Sequence, residues 1–182
     1  MELRSVEELM DLLHACRGGR EAPDRHRGAP DGRSSRAVDR MDPQEHALQT
    51  AALLRRGRPA DKELQVAGLV HTVGQLLRPG DDTSHADLAA DAIRPLLGER
   101  VARLVRLHTL GPDDLVRLHA GGLVDAVLVE DVLTLRQAEE AARTPGVDAG
   151  VLEDWRTVLE LVADRAGRAS RVSASSHLTP GT

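Results

Sequence analysis

Apolar positions recur along this chain at helical spacing, and no stretch alternates with period two for long enough to predict a strand. Ser5-Val6-Glu7-Glu8 has the form of a capping box and opens a short helix to about His14, with Leu9, Leu12 and Leu13 on one face. Asp42-Pro43-Gln44-Glu45 predicts a second start: Asp42 as N-cap, Pro43 where a missing N–H costs nothing, and Glu45 in the first turn. That helix runs through Leu48, Ala51, Ala52 and Leu54 to Gly57. After a turn at Arg58-Pro59-Ala60, Asp61 caps the next. There Leu64, Val66, Ala67, Leu69, Val70, Val73, Leu76 and Leu77 leave hardly any polar face, the pattern of a central, buried helix.

Ser84 caps a further helix that ends near Pro95-Leu96-Leu97-Gly98, and Val101, Leu104, Val105 and His108 share one face of another over 100–110. Pro112 starts a short helix to His119, closed by Gly121-Gly122. The stretch 123–143 reads as one longer helix or two abutting ones, stopped by Thr144-Pro145-Gly146. A last helix from about Val151 to Asp164 carries Trp155, Val158, Leu159 and Val162 at packing spacing. The expectation is an all-α bundle of six to eight helices. Its organisation is an N-terminal helix over 1–16, an Arg/Gly/Pro-rich disordered loop over 17–41, a helical domain over 42–165 and a disordered tail over 166–182. Val38 is the one sizeable aliphatic side chain between Arg17 and Arg40, too little to offset the entropy of ordering that segment.

Composition narrows the core and the partners. Aromatic residues make up 1% of the 182, with Trp155 alone and neither Tyr nor Phe, so the core must be Leu, Val and Ala. The net charge of −5 argues against nucleic acid as the main partner. Cys16, the single cysteine, cannot form an internal disulfide and suits a reducing cytoplasm. No apolar run reaches the roughly 18 residues of a membrane span, and the N-terminus lacks the basic flank and apolar run of an export signal. The expected setting is cytoplasmic, with no membrane partner.

Buried polar groups stand out in a chain of this composition. His46 lies on the second predicted helix, and His71, Thr72 and Gln75 lie on the nearly all-apolar third. Such groups need partners inside a core. His85 and His108 follow, each beside a helical apolar run, and four histidines so distributed are what an all-helical metal cage requires. Each has a plainer reading: His46 and His71 as core imidazoles bonded to backbone, His85 as an exposed first-turn residue. Glu139 could equally serve as a surface ion-pair partner of Arg136 or Arg143, one turn to either side. His14 and Cys16 point to different sides of a helix and do not form a ligand pair. His119 and Glu130 read as solvated-face residues.

The order Glu45-His46-Ala47-Leu48-Gln49-Thr50-Ala51, Gly68-Leu69-Val70-His71-Thr72-Val73-Gly74-Gln75, Arg94-Pro95-Leu96-Leu97-Gly98, Val105-Arg106-Leu107-His108, and 135–146 with Glu139-Glu140 resembles the HD-domain superfamily of metal-dependent phosphohydrolases. The likeness is strongest to its branch of phosphonate-cleaving di-iron oxygenases and, more distantly, myo-inositol oxygenase. It covers about Pro43 to Gly146. The resemblance implies an all-helical core and metal ligands at His46, His71, His85, His108 and Glu139, with a divalent ion such as iron or manganese. It also places Thr72 where the family has its bridging aspartate, and Gln75 where these oxygenases have a substrate-side histidine. A neutral hydroxyl is a poor bridge between two cations. The lysine-containing stretch that holds the substrate's acidic group is replaced by Thr109-Leu110-Gly111-Pro112, and the family's tyrosine over the open iron is absent.

Two functions follow. One is a divergent HD-type metalloenzyme with at most a mononuclear site, oxygenase-like or phosphohydrolase-like, acting on a small polar substrate, phosphorylated or a phosphonate. The other is an inactive HD-type pseudoenzyme without metal that binds a small ligand or a partner protein. Metal content separates them.

Overall fold

A computed structural model of the chain describes residues 2–15, 42–78, 85–144, 146 and 148–176. Among these residues all regular structure is helical, and the architecture is an all-α bundle. In chain order the helices are α1 (Val6–Ala15), α2 (Pro43–Gly57), α3 (Lys62–Val70), α4 (Val73–Leu77), α5 (His85–Leu107), α6 (Pro112–Ala120), α7 (Ala126–Ala141) and α8 (Arg156–Ser176). A 3-10 turn over Leu152–Trp155 leads into α8. The predicted loop over 17–41 lies wholly outside the described residues, as does Cys16.

The caps expected at Ser5, Asp42 and Asp61 are made, while Ser84 lies outside the described residues. Ser5 Oγ accepts from Glu8 N at 3.1 Å, while the Glu8 carboxylate reaches back to Arg4 N at 2.7 Å. Asp42 accepts from Gln44 N at 2.8 Å with Pro43 at the first helical position, and Asp61 accepts from Leu64 N at 3.0 Å. Asp125 caps α7 through Leu128 N. Each satisfies an amide that the helix leaves without an internal partner.

The core is aliphatic throughout, as the composition requires. α3 sits at its centre against α2, α5, α7 and α8, and Leu64 through Val70 are all buried. Close approach of α2 and α3 depends on Gly68, where a Cβ would meet Leu54 and Thr50 side chains. Gln65, fully buried within α3, donates from Nε2 to the carbonyls of Arg58 at 2.7 Å and Pro59 at 3.2 Å, so a polar side chain inside the bundle closes the α2–α3 turn. Trp155 is fully buried, with the Arg55 guanidinium 3.7 Å from its ring centroid.

Three features differ from the sequence reading. The central helix is not continuous: α3 ends at Val70, and His71 and Thr72 form a turn before α4. The predicted helices either side of Gly98 form one element, α5, broken at Gly98, whose φ of 86° and ψ of 173° lie outside helical space. The break lets Arg106 near the end of the element pair with Asp87 at 3.0 Å and with Asp91, both near its start. α5 is thus two arms folded back on one another. Finally, the tail expected from 166 is helical to Ser176, because α8 does not end at Asp164. Ala166 supplies part of the reason: it packs at Gly98, where an added Cβ would lie 3.1 Å from the Ala166 methyl.

Candidate functional site

His71 occupies the turn between α3 and α4. Its Nδ1 pairs with the Gly68 carbonyl at 2.8 Å, which diverts a carbonyl of the last turn of α3 to the side chain. The imidazole is buried, and its ring lies 5.4 Å from that of His46 on α2 and 5.5 Å from that of His108, just past the end of α5. His71 is therefore the middle of three neighbouring imidazoles, met edge-on from both sides. His108 Nδ1 pairs with the Val105 carbonyl, again one turn back. With Nδ1 acting as donor to a backbone carbonyl in both, Nε2 carries the lone pair that could meet a metal or a substrate proton.

Burial keeps these rings neutral. Desolvation lowers the His71 pKa to about 3, with His108 and His46 adding to the effect and the Gly68 carbonyl opposing it. His108 is lowered by desolvation and, after the opposing Val105 carbonyl, by Arg136. His46 is lowered by desolvation, against the pull of the Ala142 carbonyl. Glu139 on α7 completes the group, 4.0 Å from His108 Nε2. Desolvation raises its carboxyl to about 8 despite Arg136 and Arg143, and its Oε1 is buried without a hydrogen-bond partner. The ion-pair role considered for Glu139 belongs to its neighbour: Glu140 pairs with Arg143 at 3.2 Å on the surface.

Thr72 is 4% exposed, and its Oγ1 likewise lacks a partner. A buried hydroxyl left unpaired is costly. Beside the imidazoles a cleft of about 620 Å3 opens, lined by His71, His108, His85 and Gln75. His85 is only half-buried, and its Nδ1 lies 3.2 Å from the Gly74 carbonyl. The approach is so close that any Cβ at Gly74 would collide with the His85 backbone. Gln75 is exposed at the cleft wall.

The structure thus brings His46, His71, His108 and Glu139 together and sets His85, with Gln75, along the adjoining cleft. They are neighbours without being drawn in around one centre: among the described residues no three His, Cys, Asp or Glu side chains converge as a bound metal ion requires. The donor set nonetheless has the chemistry for one divalent ion, with neutral imidazoles, a carboxyl group and two buried oxygens lacking partners. It does not fit a pair of ions, since Glu139 is its one carboxyl group and Thr72 adds only a neutral hydroxyl. His119 and Glu130 stand apart from this group, His119 Nδ1 on the Val124 carbonyl at 3.0 Å and Glu130 paired with Arg58.

A second polar cluster escaped the sequence reading. Arg100 reaches Asp61 at 2.6 Å, Asp131 at 2.8 Å and Glu63 at 3.0 Å, joining α3, α5 and α7. Asp131 is 3% exposed. Asp61 was legible as a cap, but Asp131 lies on the second turn of α7, away from the cap. Only its burial against Arg100 marks it out. Comparison of the sequence with protein-family models and with curated proteins gives no match to either.

Proposed function

We propose that the chain is an HD-like metalloprotein that holds one divalent ion with His46, His71, His108 and Glu139 and acts on a small polar substrate in the cleft beside them. The observation that carries this reading is Glu139: a buried carboxyl group with an unpartnered oxygen, set against neutral imidazoles contributed by α2, the turn after α3 and the residue that follows α5. Burying an acid in such a setting costs stability unless something repays it, and a cation ligated by Glu139 would do so.

The protein's own groups have definable tasks in this reading. Backbone carbonyls fix the His71 and His108 tautomers, so that each presents Nε2 without rearrangement of its proton. His85 and Gln75 line the substrate cleft, where an imidazole and an amide can exchange hydrogen bonds with hydroxyl or phosphoryl oxygens. A bound ion would supply Lewis-acid activation of water for phosphoester hydrolysis or, as iron, a place for dioxygen in oxidation of the substrate. Thr72 limits the count to one ion, since no carboxylate stands between two metal positions.

Elemental analysis of protein purified without chelator, and again after anaerobic reconstitution with iron or manganese, tests this directly. One ion per chain is expected in the wild type, and its loss in His71→Ala. Wild-type protein that carries no stoichiometric metal in either preparation overturns the reading and leaves a metal-free binding protein of HD-like shape. Thr72, in place of a bridging acid, is the residue that favours that alternative.

A further inference from the structure

The segment that follows α5 stands between two clefts. His108 and Thr109 line the cleft of about 620 Å3 on one side and, on the other, a second cleft of about 600 Å3 walled by α7 with Arg136 and Glu139. Open space on both sides leaves this turn little to pack against, and Thr109 and Pro112 are exposed. Its backbone hydrogen bonds are local: His108 N to the Leu104 carbonyl at 3.1 Å, Leu110 N to that of Leu107 at 3.0 Å, and Leu115 N to that of Gly111 at 3.1 Å. They shape the turn and leave open how far it stands from α7.

Arg136 makes that attachment. Its guanidinium donates to the Leu110 carbonyl across 26 positions, and among the described residues no side chain of another helix except Arg136 hydrogen-bonds 109–111. Arg136 and Glu139, three residues apart on α7, face the same way. The bond to Leu110 therefore lies one turn from the place where His108 Nε2 and Glu139 Oε1 come to 4.0 Å. That separation is too long for a hydrogen bond, so the imidazole and the carboxyl group do not set their own spacing. A pair of ligands works only when held to about 0.5 Å. The charge of Arg136 acts in the opposite sense, since a guanidinium beside a cation site disfavours the cation and a neutral carbonyl does not cancel it.

We infer that Arg136 is a positioning residue, whose hydrogen bond to the Leu110 carbonyl sets His108 at the distance from Glu139 at which one divalent ion can take both. The inference rests on the metal-binding reading above.

Manganese titrated calorimetrically into the chelator-treated full chain tests it, together with the histidine ring signals of the metal-free protein by nuclear magnetic resonance. Arg136→Met keeps the aliphatic stem and a good helix former while removing the donor. It is expected to weaken manganese about tenfold, the lower end of the range for losing an outer partner of a ligand, and to move the His108 signals while those of His46 on α2 stay in place. Were charge the whole effect, the same change would tighten manganese. Arg136→Lys, which keeps an N–H donor, should restore most of the affinity. Arg136→Gln, polar at a half-buried position and too short to reach Leu110, should repeat the loss. Wild type that takes up no manganese overturns the metal-binding reading and this inference with it. Wild type that binds, with Arg136→Met and Arg136→Gln binding as tightly or more tightly, or with unmoved His108 signals, overturns this inference alone.

Discussion

The rings of His71 and His108 meet edge to face, 5.5 Å between centroids at an interplanar angle of 74°, although 37 positions separate them in the chain. Each ring is held by a carbonyl one turn back on its own segment, and each is kept neutral by its burial. Two neutral rings so placed repel neither each other nor a cation. The contact therefore leaves the site competent to accept positive charge.

Thr72, next to His71 in the chain, is buried and neutral. Thr72→Asp puts a carboxylate at a buried position whose hydroxyl already lacks a partner. In metal-free protein the variant should be less stable than the wild type by several kcal/mol, on the order of the cost of an uncompensated buried charge. Added manganese should raise its melting temperature by more than it raises that of the wild type, and the metal content should rise toward a second ion. Thermal melts with and without chelator check this. Equal metal-induced shifts in the two proteins would mean that position 72 does not face the metal.

Arg100 holds three carboxylates from two helices to α5. Arg100→Met should destabilise the protein by about 3 kcal/mol, the lower end of the range for breaking a buried pair, because the guanidinium is partly exposed while Asp131 is not. Adding Asp131→Leu should recover much of the loss by removing the stranded charge. Urea denaturation midpoints of the single and double variants measure both steps, and a double variant no more stable than Arg100→Met would refute the account.

The same cluster sets a pH dependence. The Arg100 hydrogen bonds hold the Asp61 carboxyl below its ordinary value. A carboxyl depressed in the folded state contributes stability that is complete above the unfolded value, near ~3.9. That contribution drains away as pH falls through the lower folded value. Wild-type stability should accordingly drop below about pH 4, and Arg100→Met should lose less over the same interval, as followed by denaturation at a series of acid pH values.

Gly74 is a point of contact between α4 and the start of α5. Gly74→Ala drives a methyl group into the His85 backbone and forces the two apart. Overpacking of this kind costs about 1 to 3 kcal/mol. The nuclear magnetic resonance shifts of the His85 ring should move along with the loss of melting temperature. A variant as stable as the wild type with an unmoved His85 would show that the two segments yield without cost.

Much of this was written locally in the chain. Ser5, Asp42, Pro43 and Asp61 act at helix starts through atoms two to four residues away, so their roles could be read directly. The all-aliphatic core followed from having one aromatic residue, whereas the grouping of His46, His71 and His108 was what the resemblance implied rather than what spacing alone dictated. What could not be read depended on distant partners. α3 and α4 look like one helix because Leu and Val continue through the break. At the break His71 Nδ1 pairs with the Gly68 carbonyl, a contact that the apolar pattern does not signal. Arg100 and Asp131 are 31 positions apart, and no spacing rule pairs them. The extension of α8 past Asp164 involves Ala166 beside Gly98, a contact between two small residues that carry no helix-end signal.

The turn at Gly98 has a consequence for chain length. A straight helix over His85–Leu107 would place its ends about 33 Å apart at 1.5 Å per residue. Yet His85 and His108 line the same cleft because the two arms double back at that glycine. Each histidine is thus clocked by the number of residues between it and position 98. Inserting or deleting one residue in either arm would swing the attached imidazole by about 100° around its helix axis. The interval from 85 to 108 can therefore vary in composition far more freely than in count, and its arithmetic is as much a part of the cleft as the side chains that line it.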